Sequence, residues 1–210
     1  HHLGEFTMLE WYQAYADSEV LMAETEALLR CCSEVLGGVT ALPERFARIT
    51  VADACQRFAG VAIEGIAEVG QLAEAARGAG FDADDGEGFE EILSRILVER
   101  VEPALANYPA VFLHDYPAPV AALARLRSDD PTVAERFELY LGGVELANAF
   151  AELTDPDEQH RRFVADQDQR RAAGLPVHGI DKRFIEALRE GIPPCAGIAL
   201  GVDRLLAALV

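Results

Sequence analysis

The sequence predicts an α+β fold, an antiparallel sheet flanked by helices, and three observations lead there. Segments such as Phe6–Tyr12 and Glu135–Leu141 alternate in side-chain character as strands do. The pair Gly142-Gly143 joins two such segments in the manner of a hairpin. Helical stretches separate the strands without regular βα alternation, which argues against a doubly wound parallel sheet.

Taken in order, Phe6–Tyr12 opens the sheet, with Met8, Glu10 and Tyr12 on one face and Thr7, Leu9 and Trp11 on the other. Asp17 or Ser18 caps a helix running to about Leu36, where Gly37 and Gly38 end it. Leu21, Leu28, Cys32 and Val35 are expected on its buried stripe. A helical stretch follows from Val51 to Gly80, helped by alanine-rich segments such as 72–76. Asp82–Gly88 reads as a turn and solvated helix start, because its ligand spacing does not fit a calcium loop. A further helix spans Phe89–Ala106. Ala110–His114 is a strand ended by a turn at Tyr116–Pro119, and Glu135–Leu141 pairs with Val144 onward. Asp155 opens a polar helix to Ala173, closed by Gly174 and Pro176. Asp181–Glu190 is a short helix, Cys195–Leu200 a strand of small residues, and Gly201 starts the last helix.

The chain has 210 residues, half of them apolar and 26% charged, which fits one domain with a sizeable core. The helical segment at about 51–106 stands as an insertion between two strand-rich parts. No apolar run approaches about 18 residues, and 1–12 lacks the charged start and apolar stretch of a signal peptide. We therefore expect a cytoplasmic protein without a membrane anchor. The net charge of −18 disfavours broad binding to nucleic acid, so tRNA binding is not expected and a basic partner would be steered toward the surface. Cys31, Cys32, Cys55 and Cys195 match no zinc spacing and read as reduced, mostly buried thiols.

Three segments carry a resemblance. Gly4–Tyr12 (GEFTMLEWY) with the following QAYADSEVLM resembles the second half of motif 2 in lysine-type class II aminoacyl-tRNA synthetases. Arg136–Asp155 (RFELYLGGVELANAFAELTD) is similar to their RFE…G-E-N-G-F-E-L block, and Gly197–Leu206 (GIALGVDRLL) resembles motif 3. The three lie in the family's order. Gln159–Leu205 resembles most the shortened branch that ligates β-lysine to elongation factor P. Ala199, where a synthetase has glycine, agrees with that branch, because the added methyl reshapes the amino-acid pocket.

The resemblance implies a class II synthetase-like sheet, incomplete at the N-terminus, in a single catalytic domain over 1–210 without an anticodon-binding domain. It implies ATP and Mg²⁺, lysine or β-lysine as substrate, elongation factor P as acceptor, and a homodimer in the full-length protein. By matched position, Glu145 binds ATP and its metal, with Leu146 beside it. Gly201 admits the adenine, and the N-terminal amides of its helix favour anions. Arg204 grips phosphates as the catalytic arginine. Glu152, Tyr12 and Glu10 receive the amino groups, with Asn148 and Ala199 completing the substrate pocket. Without the resemblance, Glu145 and Glu152 read as solvated strand-edge charges, Arg204 as a helix ion-pair partner, and Tyr12 and Trp11 as core aromatics.

Two expectations complicate this assignment. Glu145 and Glu152 are seven apart, which on a straight strand puts them on opposite faces, roughly 23 Å apart. A bend is therefore required, with Asn148 as its candidate and Ala149 replacing the family's glycine. Motif 1 and the motif 2 arginine lie outside these residues, and the family's ATP-binding asparagine aligns with Leu3. Weak or no activity is expected of these residues alone, which keeps open a lysyl-tRNA synthetase fragment and a non-catalytic remnant.

Overall fold

The structure, a computed structural model, describes residues 4–38, 42–84 and 86–210. Six strands form one sheet: β1 (Met8–Ala14), β2 (Ala47–Thr50), β3 (Ala110–Pro117), β4 (Val133–Leu141), β5 (Val144–Ala151) and β6 (Cys195–Gly201). Their spatial order is β1-β6-β5-β4-β3-β2. Every neighbouring pair is antiparallel except β2 with β3, which run parallel. The α+β class with an antiparallel sheet is therefore borne out.

The parallel pair explains the long helical segment. Parallel neighbours need a crossover of a dozen or more residues, and 51–105 supplies it from β2 to β3. β2 itself escaped the sequence reading, because four residues give too little alternation. The expected 51–80 helix is also broken: α2 (Val51–Ala54) passes into a π-helical turn at Cys55–Ala59 that Gly60 closes at φ +72°, and α3 is confined to Val69–Gly78. The next helix, α4 (Phe89–Ile96), continues through a second π-helical turn into α5 (Glu102–Leu105). The end of the 82–88 segment, in which Asp85 lies outside the described residues, caps α4 at Gly88. Glu87 accepts from the Asp84 amide and pairs with Arg95, which holds its carboxyl down at about 2.

Apolar layers cover one face of the sheet fully and the other in part. On one face, α1 (Ser18–Val35) and α8 (Val202–Leu209) cover Phe112, Phe137, Leu139, Ala147, Ile198 and Leu200. Phe112 and Phe137 meet edge to face at 5.3 Å, a geometry that the ring quadrupoles favour. Asp17 caps α1 by accepting from the Val20 amide at 3.0 Å. The buried stripe of α1 keeps the expected Leu21 but adds Met22, Thr25 and Leu29, whereas Val35 is 81% exposed. The crossover helices cover the second face only over β2, β3 and Tyr140 of β4. Over β5, β6 and β1 that face carries no helix layer among the described residues. A polar hairpin completes the chain: α6 (Pro156–Ala172), capped by Asp155, and α7 (Lys182–Glu190), capped by Asp181.

Candidate active site

The uncovered half of the sheet collects the residues singled out in the sequence. Alternation along β6 sends Ala196, Ile198 and Leu200 into the core and leaves Gly197, Ala199 and Gly201 on the open face. Register then sets their neighbours. Ala199 lies between Glu10 of β1 and Asn148 of β5, and Gly197 lies between Tyr12 and Phe150. The required bend exists, but not at Asn148. Pairing shifts between Leu139↔Ala147 and Tyr140↔Glu145, so Leu146 is an extra residue, a β-bulge. One inserted residue reverses the alternation beyond it. Glu145 is thereby turned to the face of Asn148 and Glu152 instead of the core. Ala149 pairs regularly with Phe137 and Ile198 and is fully buried, so no distortion arises where the family has glycine.

At one end of this face is a cavity of about 430 Å³ lined by residues including Glu145, Leu146, Asn148, Ala199, Gly201 and Arg204, a size typical of small-molecule sites. Arg204 donates to the Glu145 carbonyl at 2.7 Å and stands 3.7 Å from its carboxylate. It thus braces the bulge while keeping a charge at the cavity. Leu146 contributes only backbone there, because its side chain is in the core. A Cβ on Gly201 would meet nothing closer than 3.7 Å and its φ is −77°, so protein packing does not demand glycine. A methyl there would instead take space from whatever fills the cavity. The N-terminus of α8 is less open to an anion than expected. Val202 donates its amide to Thr7, and the Asp203 carboxylate accepts from the Thr7 amide at 2.7 Å.

The Glu145 carboxyl is pushed up by burial and then by the charge of Glu138, with Arg204 opposing. Two carboxylates that repel across one site suit a hard divalent cation. Mg²⁺ binds through one or two carboxylates and completes its shell with phosphate and water. Among the described residues there is no group of three or more His, Cys, Asp or Glu that could hold a metal ion. Glu138 was missed in the sequence, although it lies within the quoted Arg136–Asp155 block. Only the sheet register shows that it faces Asn148.

The other end is acidic. The Tyr12 ring lies on Gly197, where a Cβ would stand 2.5 Å and 2.7 Å from ring carbons and 3.1 Å from Glu152 Oε1. The Tyr12 hydroxyl pKa is raised by Glu152 first, then by burial and by Glu10. Burial raises that of the Glu152 carboxyl as well. Tyr12 is 68% exposed and is no core aromatic, whereas Trp11 points to the helical side and donates to Glu24 at 2.9 Å. Two carboxylates beside a phenol make an acceptor-rich pocket for an ammonium group. Leu3 lies outside the described residues. All four cysteines are free, and Cys55 and Cys195 are buried.

Comparison with known proteins gives this geometry a family. The family of class II tRNA synthetases (D, K and N) matches residues 1–210. The elongation factor P–(R)-beta-lysine ligase of Hamiltonella defensa is 40% identical over 98% of this chain and 61% of its own length. That of Yersinia enterocolitica is 41% identical with the same coverage. The lysine–tRNA ligase of Carboxydothermus hydrogenoformans is 37% identical over 99% of this chain and 44% of its own length. The chain thus spans about three fifths of the elongation factor P–(R)-beta-lysine ligases and less than half of the lysine–tRNA ligase. With a family match along the whole chain and these relatives, the chain belongs to the class II tRNA synthetases of the D, K and N group.

Proposed function

We propose that this chain carries the adenylation site of a lysine ligase, which activates lysine or β-lysine with ATP and passes it to a lysine of elongation factor P. One observation supports this reading above the rest: a nucleotide-sized cavity at Glu145 and Arg204 and an acidic pocket at Glu152, Tyr12 and Glu10 share one open sheet face. An amino-acid adenylate needs that arrangement, with phosphates at one end and a side-chain ammonium at the other.

In this reading Arg204 draws charge from the phosphates as the amino-acid carboxylate attacks the α-phosphorus and pyrophosphate leaves. Glu145, with the Glu138 carboxylate nearby, would hold Mg²⁺, whose charge would add to the neutralisation of the phosphates. Gly201 leaves room for the adenine. Glu152 and Tyr12 accept from the distal ammonium, and Glu10 adds negative charge beside them. Ala199 and Asn148 lie between the two ends, so the Ala199 methyl sets where the amino-acid backbone rests. Positioning does most of the work, because the reacting groups are brought together already oriented.

We read 1–210 as part of one catalytic domain of a cytoplasmic enzyme that is homodimeric at full length, without tRNA as acceptor. Among the described residues no helix is long and apolar enough to cross a membrane. A tRNA-charging role is the second reading, supported by the likeness to lysine–tRNA ligase. ATP–pyrophosphate exchange with α-lysine and β-lysine, with Glu152→Ala as control, tests the site. Exchange that favours β-lysine and vanishes in the control is expected of the full-length protein. Labelled amino acid appearing on tRNA rather than on elongation factor P would overturn the choice of acceptor.

A further inference from the structure

Arg136 on β4 lies on the same sheet face, opposite Phe150, and has no assigned role. Its guanidinium donates to Asn148 Oδ1 at 3.3 Å, to Glu138 Oε1 at 2.9 Å and to the Val120 carbonyl at 3.4 Å. It also lies over the buried Tyr116 ring, 4.4 Å from the centroid. Tyr140 holds the other Glu138 oxygen at 2.9 Å. Arg136 is therefore fixed on several sides, with its side chain 20% exposed.

A guanidinium can only donate, so the Asn148 atom beside it must be the carbonyl oxygen. That choice decides which atom Asn148 turns to the cavity. Its NH₂ has no protein partner among the described residues, and Asn148 lines the cavity. We propose that Arg136 is a positioning residue: it locks the Asn148 amide so that position 148 presents a hydrogen-bond donor to the ligand. A locked donor reads an acceptor, and the acceptor that the amino acid carries is its carboxylate. This rests on the lysine-ligase reading above. The spacing agrees, since Asn148 and Glu152 lie four residues apart on one face, about 13 Å along the strand. A diamino acid hydrogen-bonded at both ends covers that span. Arg136 thereby requires a carboxylate as well as an amine, and excludes simple diamines.

The test compares lysine with cadaverine, the same chain of amines without the carboxylate, by calorimetry on the wild-type protein, Arg136→Gln and Arg136→Lys. Arg136→Gln is expected to weaken lysine roughly tenfold, the loss of about one charge-assisted hydrogen bond, and to leave cadaverine unchanged. Arg136→Lys, which keeps an obligate donor, restores part of the loss. In parallel, the side-chain amide protons of Asn148 are followed by NMR without ligand. They are expected as two sharp resonances in the wild type that broaden or shift in Arg136→Gln. Equal weakening of lysine and cadaverine, or weakening of neither, overturns the proposal. If the wild type binds neither ligand, the lysine-ligase reading fails by itself, and an Asn148 amide signal unchanged by Arg136→Gln then overturns the positioning role independently.

Discussion

Gly197→Ala separates the site from the fold more sharply than any other change. The new Cβ would stand 2.5 Å and 2.7 Å from Tyr12 ring carbons and 3.1 Å from Glu152 Oε1. Carbon atoms rest about 3.5 Å apart or more, so the ring must withdraw by about 1 Å and the carboxylate must give slightly. Tyr12 is 68% exposed, and nothing buried resists that withdrawal. Position 197 has no positive φ, so alanine is not strained there. The stability cost is therefore expected near 1 kcal/mol, the low end for overpacking. Binding behaves differently, because a misplacement of about 1 Å can cost up to ~100-fold in a preorganised site. Lysine affinity should fall at least ~10-fold while thermal unfolding shifts by only a few degrees. Calorimetric titration and a melting curve on the same sample check both halves. Unchanged lysine affinity in a folded Gly197→Ala protein would refute the placement of the ammonium pocket under Tyr12.

Three further outcomes follow from the same geometry. Arg204→Ala removes the 2.7 Å bond to the Glu145 carbonyl and the cation at the cavity. It should lower ATP affinity severalfold and cost about 1 kcal/mol in urea unfolding, whereas an unchanged nucleotide affinity would exclude Arg204 from the phosphate site. Glu152 must be ionised to hold an ammonium and its pKa is raised by burial, so lysine affinity should fall with decreasing pH already above the ordinary glutamate value of about 4.3. The ligand-free protein responds with the opposite sign, since the folded state holds that proton more tightly and its contribution to stability rises as pH falls through the same pKa; Glu152→Gln should abolish both trends. Phe112→Ala empties the centre of the core between Phe46 and Phe137 and should cost about 3–5 kcal/mol by denaturant titration.

Much of this was legible from local signals. The helix starts at Asp17, Asp155 and Asp181 and the Gly142-Gly143 turn depend on residues close together in the sequence and stand where they were expected, whereas strand ends moved: β1 runs Met8–Ala14 instead of Phe6–Tyr12, and β3 continues through Tyr116 and Pro117, where a turn was expected. Errors arose where distant segments compete. Val35 fits a helical stripe with Leu21 by spacing, yet beside Leu21 it is Met22 and Leu29 that face the sheet. β2 exists because β3 offers it a parallel edge, which four residues cannot announce. Arg136 and Glu138 sit inside a motif, but neither spacing nor charge distinguished them from surface ions on a strand.

The sequence by itself determined the fold class, the family resemblance and the identity of the residues on the open face, because these depend on patterns that repeat within short stretches. Whether the residues could act together was decided only by tertiary structure. Glu145 and Glu152 are on opposite faces of an ideal strand, and the extra residue at Leu146 brings them to one face by reversing the side-chain alternation. That bulge is a property of the pairing between β4 and β5 and is braced by Arg204, which lies 59 residues further along the chain.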